Sequence, residues 1–235
     1  MEVYGKILEM PKLRFDYSSG AAQDVLPKRG LSRFGPYDSS LIGKNAIKSV
    51  IFFPEGLDSV QQILVEGLTE GEGSFRGFVS LFKIPLEFTD CVSFSSSSQL
   101  NLLLDKISVH DPDIVYVVLT NEYSHMYSQI KLRLFANGIP SQIVTVEKIS
   151  EPRGRQYILE NISLATYAKI GGTPWTVSTT DFEDRLVLGV SRAQDYARRY
   201  FVGFVVLFTN EGDFLFVNSK APVVEWEKYV QGLTE

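Results

Sequence analysis

The chain is poor in the residues that staple or metallate a protein: of 235 residues, Cys91 is the single cysteine, and His110 and His125 are the only histidines. One cysteine excludes an intrachain disulfide and, by count, a thiolate metal cluster, and two histidines give no basis for a His-rich metal site. No stretch approaches the ~20 consecutive apolar residues that cross a bilayer, and no early basic flank precedes an apolar signal core. The expected compartment is therefore the cytoplasm, with no membrane among the partners. Basic residues are outnumbered, 23 Lys and Arg against 28 Asp and Glu, for a formal net charge of −5. That balance excludes coating of nucleic acid by bulk electrostatics, which needs clustered Lys and Arg. It leaves room for a small anion site built residue by residue. What the chain does have is 44% hydrophobic and 22% charged residues, the composition of a globular protein with one large domain or two small ones.

The first forty residues carry little periodicity and many turn formers. In "LPKRGLSRFGPYD" (26–38), Pro27, Gly30, Gly35 and Pro36 are expected to interrupt regular structure, so 1–40 reads as an arm or linker. From Ala46 the pattern changes. "AIKSVIFFP" is a buried strand ended by Pro54, and "GLDSVQQILVEGLTEG" places Val60, Ile63, Leu64 and Leu68 at helical spacing. A second strand is expected near 75–82. "SSSSQLNLLLDKI" offers serine N-caps before a short helix with Leu100, Leu103, Leu104 and Ile107 on one face. "DIVYVVLT" (113–120) is a β-branched run of the kind buried on both faces of a sheet. A helix follows, and "QIVTVEKI" gives a further strand. Strands alternating with helices at this spacing imply a parallel, doubly wound α/β sheet, in which ligands bind beyond the carboxyl ends of the strands, here 120–126.

Past 151–155 a long helical pattern, 157–170, is stopped by "GGTPW". Three strands follow, "RLVLGV", "YFVGFVVLFT" and "DFLFV", the last two joined by the hairpin signal "NEGD", and then the amphipathic "EWEKYVQGL".

Two lysines sit where core is expected. In "YSHMYSQIKLRLFANGIPSQ" (123–142), a helix at about 100° per residue gathers Met126, Tyr127, Ile130, Leu134 and Phe135 into one apolar arc, with Lys131 inside it. In the helix from Tyr157, Lys169 falls between Ile158, Ile162 and Ala165. Snorkelling accounts for either lysine alone. A pair flanking one junction points instead to a bound anion, because an unpaired buried ammonium is costly and phosphate relieves the cost. Tyr127 lies one turn before Lys131, placed to stack on a base while the lysine holds that nucleotide's phosphate. Gln142, after the turn at Gly138 and Pro140, could donate an amide N–H to the same phosphate. The helix N-terminus near Tyr123 offers free backbone N–H groups.

Taken together, Tyr127-x-x-x-Lys131, "NGIPSQ" with Gln142, and "NISLATYAKIGGTPW" with Lys169 resemble the Tyr, Lys, Gln, Lys set of Argonaute proteins. "GLSRFGPYD" is similar to the entry segment of short prokaryotic Argonautes, which have MID and PIWI domains but no N-terminal or PAZ domain. The resemblance runs from about Gly30 to the end. It implies a Rossmann-like parallel-sheet MID domain over 41–155, followed by the N-terminal portion of an RNase H-like PIWI domain over 156–235. It also implies a site for the 5′-phosphorylated end of a guide strand: Tyr127 stacking on the first base, Lys131, Gln142 and Lys169 on the phosphate, and the loop 120–126, with Tyr123, sensing the base. The implied partners are a guide RNA (or DNA), a complementary target strand that is DNA by the same resemblance, and an effector subunit, an APAZ-containing NADase or nuclease, acting in prokaryotic defence.

Two departures qualify the likeness. The first PIWI strand of slicing members carries a metal-binding aspartate, whereas "RLVLGVSRAQ" has Val190, Ser191 and Arg192 there, and a hydroxyl does not replace a bridging carboxylate in a two-metal site. Asp184 and Asp195 read as loop charges, so no slicing is expected. The sequence also stops soon after the third PIWI strand, which suggests a partial chain or completion by another polypeptide. Many prokaryotic members add a terminal carboxylate and a magnesium ion at the guide phosphate. Glu235 is not expected to play that part, so no cofactor is certain and magnesium at the 5′ phosphate is the one the resemblance allows. A second reading, a Rossmann-like domain binding a phosphorylated small molecule or nucleotide, rests on "GEGSFRG" (71–77), which lacks Walker and dinucleotide spacing. A third is a structural subunit with a vestigial anion site.

Overall fold

The structure is a computed structural model that describes residues 10–178, 186–195, 200–209 and 214–219. It divides into two compact units, Arg14–Trp175 and a second comprising Met1–Leu13 with Thr176–Glu235.

The first unit is built on a four-stranded parallel sheet of β1 (Ile47–Pro54), β2 (Leu86–Phe94), β3 (Ile114–Leu119) and β4 (Ser141–Thr145), in spatial order β2-β1-β3-β4. The two central strands are built on apolar runs, Val50–Phe53 in β1 and Ile114–Leu119 in β3, and every residue of β3 is buried. Alternation along β3 divides its side chains between the faces. Val115, Val117 and Leu119 join Leu100 and Leu104 of α4 (Ser97–Asp105) and Ile130 and Leu134 of α5 (Tyr127–Ala136) in one core cluster. Tyr116 points the other way, to α7 (Arg155–Lys169), where its hydroxyl meets that of Thr166 at 2.7 Å. Helices α5 and α7 therefore lie on opposite faces of the sheet.

The serine run caps as expected: Ser96 Oγ accepts from Gln99 N, and Gln99 Oε1 accepts from Ser95 N at 2.7 Å. Three local expectations are corrected. The turn formers of 26–38 do not break the chain: α1 (Pro27–Phe34) is helical, with Pro27 in its first turn, where the missing N–H costs nothing. Gly30 lies mid-helix because a Cβ there would stand 2.1 Å from the buried ring of Phe15. The strand expected near 75–82 is instead a helix, α3 (Phe78–Phe82), after α2 (Asp58–Thr69), and it stacks Phe82 on Tyr167 of α7 at 4.2 Å. Finally, strand β4 ends at Thr145, and "VEKIS" turns into the short helix α6 (Val146–Ser150).

The second unit holds a three-stranded antiparallel sheet in which β6 (Tyr200–Thr209) lies between β5 (Leu186–Asp195) and β7 (Phe214–Ser219). Val190, Ser191 and Arg192 fall inside β5, with Ser191 opposite Phe204. The residues expected to turn the hairpin, Asp184, the C-terminal amphipathic stretch and Glu235 lie outside the described residues.

Replacing Gly30 with Val tests the close approach in the first unit. Overpacking against Phe15 is expected to lower unfolding free energy by about 2 kcal/mol in urea; unchanged stability would mean that the ring yields freely.

Candidate anion site

The register of the sheet creates the site. Val115 N donates to the carbonyl of Pro140 at 3.0 Å, so that carbonyl faces inward to β3. The next one, on Ser141, must point the opposite way, off the open edge of β4. Lys131 Nζ, from α5, donates to Ser141 O at 2.7 Å and to Ser141 Oγ at 3.0 Å. Lys169 Nζ, from α7, donates to the same carbonyl at 2.9 Å and to Gln142 Oε1 at 2.5 Å. Two ammonium groups from helices on opposite faces thus share one backbone oxygen. Among the described residues no carboxylate lies within ion-pair distance of either.

For like unit charges about 4 Å apart, repulsion is about 1 kcal/mol in water and about 4 kcal/mol at an effective dielectric of 20. With Lys169 partly exposed, solvent screening keeps the repulsion toward the lower part of that range. Burial, and then the charge of Lys131, hold the Lys169 ammonium down to about 8 from its usual 10.5. Burial likewise lowers Lys131. An ammonium has three N–H donors, and each lysine commits two of them to protein oxygens. One N–H per lysine is left for a ligand, with the Ser141 O–H beside them.

The cavity in front, about 730 Å³, is lined by Tyr127, Lys131, Leu132, Phe135, Ser141 and Lys169, among others. Tyr127 is 51% exposed, so its ring is open to a stacking partner one turn from Lys131. Gln142 Nε2 donates to Ile143 O at 3.1 Å. Tyr127, Lys131, Gln142 and Lys169 are therefore brought together. Tyr123 is not among them: it lies in a 3-10 turn, Asn121–Met126, before α5 starts, its backbone N–H donates to Thr120 O, and its buried hydroxyl donates to Ser95 O at 3.2 Å. It lines a separate cavity of about 520 Å³ at the carboxyl ends of the strands, with Glu55, Gly56, Ser95, Thr120 and Glu122. The lysines converge elsewhere, at the amino end of edge strand β4.

The expected burial of the lysines also needs adjustment. Helix α5 buries Ile130 and Leu134 but leaves Phe135 82% exposed, so Lys131 marks the border of the apolar face. Helix α7 buries Leu159, Ile162, Ser163, Thr166 and Tyr167, a face turned away from Ile158, with Lys169 at its margin. Ser141 was not foreseen, because a backbone carbonyl and a single serine carry no sequence signal.

The glycine-rich loop that supported a small-molecule reading is filled by the protein itself. Ser74 N donates to Gln156 Oε1 at 2.7 Å, Arg155 pairs with Glu72 at 2.7 Å, and a Cβ on Gly73 would stand 2.2 Å from Gln156 Oε1. With the N–H groups of Gly71, Glu72 and Phe75 bonded to backbone carbonyls as well, four of the seven N–H groups of 71–77 are committed to the protein. Among the described residues the lysine pair offers a magnesium ion ammonium groups rather than carboxylates, and no group of His, Cys, Asp and Glu could hold a metal. Among the described residues, no helix is long and apolar enough to cross a membrane.

A family profile described as the Piwi domain matches residues 114–235, more than half of the chain. The sequence is 29% identical over 254 aligned residues to the protein argonaute of Cereibacter sphaeroides, covering 96% of this chain and 33% of that protein. The fold is similar to that of Clostridium butyricum Argonaute bound to a guide DNA and a 19-mer target DNA, with TM-score 0.73 and 18% identity over 97% of this chain and 33% of that one. It is also similar to Drosophila Piwi, with TM-score 0.75 and 14% identity over 97% of this chain and 31% of that one. The chain thus spans about a third of the length of these relatives.

Titration of the lysine pair is directly measurable. With ¹³Cε-labelled lysine, Lys169 is expected to titrate near 8, and Lys131→Met to raise that midpoint by removing the neighbouring charge. A Lys169 midpoint at the ordinary lysine value in the unaltered chain would contradict the convergence.

Proposed function

Because the chain belongs to the Piwi family of Argonaute proteins, we propose that its lysine pair holds the 5′-phosphate of a guide strand, RNA by the likeness to short members, and presents that strand for pairing with a complementary target. The observation that carries this reading is the sharing of Ser141 O by two ammonium groups, each with one N–H to spare, beside an exposed aromatic ring. A phosphate oxygen takes the spare N–H of each lysine and the Ser141 O–H, and its charge offsets the repulsion between the ammonium groups. Tyr127 takes the face of the first base, at about 1–3 kcal/mol for such a stack. Gln142 orients Lys169 through its Oε1. Base pairing then supplies sequence specificity, and the protein supplies the anchored end.

In this reading residues 41–155 act as the MID domain and 156–235 as the start of PIWI. The chain does not cut its target, since Val190, Ser191 and Arg192 stand on β5 where a metal-binding carboxylate is needed. A separate effector, the APAZ-containing NADase or nuclease implied by the likeness to short members, supplies the output in prokaryotic defence, with DNA as the target.

The pH dependence follows from two groups. A phosphate monoester gains its second negative charge near pH 6, so binding strengthens as pH rises through that value. The free Lys169 loses its proton near 8. Bound phosphate raises that pKa, so affinity is fullest between about 6 and 8 and falls as pH rises above 8, by up to roughly tenfold per pH unit.

Short RNA with a 5′-phosphate is expected to bind at least about tenfold more tightly than the same strand with a 5′-hydroxyl. Lys131→Ala and Lys169→Ala should each remove most of that preference, and the preference should weaken above pH 8. Equal affinity for the two strands would falsify the reading. Incubation of the guide-loaded chain with complementary DNA and magnesium or manganese should yield no cut; a guide-directed product would overturn the assignment as inactive.

A further inference from the structure

Strand β3 carries an anomaly of its own. In a strand buried along its whole length, Tyr116 alone bears a side-chain polar atom, and its ring is fully buried. Its hydroxyl meets Thr166 Oγ1, itself fully buried, at 2.7 Å. Thr166 lies three residues before Lys169, on the same side of α7. In the sheet, Tyr116 stands directly across from Gln142, and Gln142 Oε1 accepts from Lys169 Nζ at 2.5 Å. The contacts close a ring: Tyr116 to Gln142 across the strands, Gln142 to Lys169, Lys169 along the helix to Thr166, and Thr166 back to Tyr116.

We infer that Tyr116 and Thr166 are positioning residues for the lysine site, a buried hydroxyl pair that sets α7 along the sheet so that the Lys169 ammonium lands on Ser141 O opposite Lys131. The inference rests on the phosphate reading for its functional meaning, but the geometry it asserts exists without a ligand. A net hydrogen bond contributes only about 0.5–1.5 kcal/mol, and a Phe and Val pair of the same shape would fill the space about as well. What the hydroxyls add is direction. Apolar contact lets a helix slide over a strand with little change in burial, whereas a 2.7 Å hydroxyl bond fixes one setting. Other contacts keep the helix docked when this bond is lost: Tyr167, stacked on Phe82, donates its hydroxyl to Asp38 O at 2.9 Å. Losing the Tyr116–Thr166 bond should therefore loosen the placement of Lys169 rather than unfold the unit.

The test uses the full chain and three variants, Tyr116→Phe, Thr166→Val and the double substitution, whose paired apolar surfaces guard against an unpartnered buried hydroxyl. The first readout needs no nucleic acid: the Lys169 ¹³Cε midpoint should rise from about 8 toward the free-lysine value as the ammonium escapes burial and the charge of Lys131. The second is the ratio of affinities for 5′-phosphorylated and 5′-hydroxyl RNA, expected to fall by about tenfold, with affinity for the 5′-hydroxyl strand unchanged. A midpoint that stays put in all three variants overturns the inference. A midpoint that rises in a chain that never prefers 5′-phosphate supports the positioning role and removes the guide reading. A preserved midpoint with a strong phosphate preference does the reverse.

Discussion

The site depends on one carbonyl oxygen having no strand to bond to. Ser141 opens the edge strand of the sheet, and the register that turns the Pro140 carbonyl inward turns the Ser141 carbonyl out. Only at an edge can helices from both faces of a sheet bring side chains to the same backbone atom. Lys131 and Lys169 do so, and in the same stroke they cover an exposed acceptor of the kind that invites unwanted strand pairing. A ligand that takes one further N–H from each lysine leaves that cover in place, so protection of the edge and capture of an anion are compatible.

Holding two like charges at one oxygen works against the isolated fold and in favour of binding. The depressed Lys169 pKa expresses this balance: between about 8 and 10.5 the unfolded chain binds more protons than the folded one, so the contribution of this group to stability increases as pH rises through that window. An anion reverses the sign by making the doubly charged state the favoured one. Affinity obtained this way comes from preorganisation, because the ammonium groups are already ordered by protein oxygens before the ligand arrives.

Much of this was legible in the sequence, because Lys131 and Lys169 break apolar patterns that were otherwise clear. The continuous runs of β1 and β3 and the serine cap of α4 were readable for the same reason, since each is a strong local signal that tertiary packing has no cause to override. Strand β2 was missed because its residues alternate between half-exposed and exposed at the sheet edge, so it lacks the apolar run of a central strand. Helix α1 was hidden by Pro27 and Gly30, which read as breakers until one is seen at a first turn and the other under Phe15. Tyr123 was read as lying near a helix N-terminus, but a 3-10 turn precedes α5 there, which sends its ring to the core and leaves that of Tyr127 open. The phase of α7 was read from its isoleucines, whereas a polar residue, Thr166, belongs to its buried face because Tyr116 offers it a partner.

The position of the site within the sheet also has an electrostatic cause. In a doubly wound sheet, helix N-termini gather at the carboxyl ends of the strands and favour anions there. In this chain that crevice is rimmed by Glu55 and Glu122, which oppose an anion. The amino end, where α5 and α7 finish, faces helix C-termini, whose partial negative charge repels phosphate but favours ammonium groups. Lys169 is the last residue of α7, placed where the helix itself helps to keep it charged. A phosphate site at this end cannot borrow its positive charge from backbone dipoles and must bring its own. The two lysines supply it, and the buried hydroxyls of Tyr116 and Thr166 fix where it is delivered.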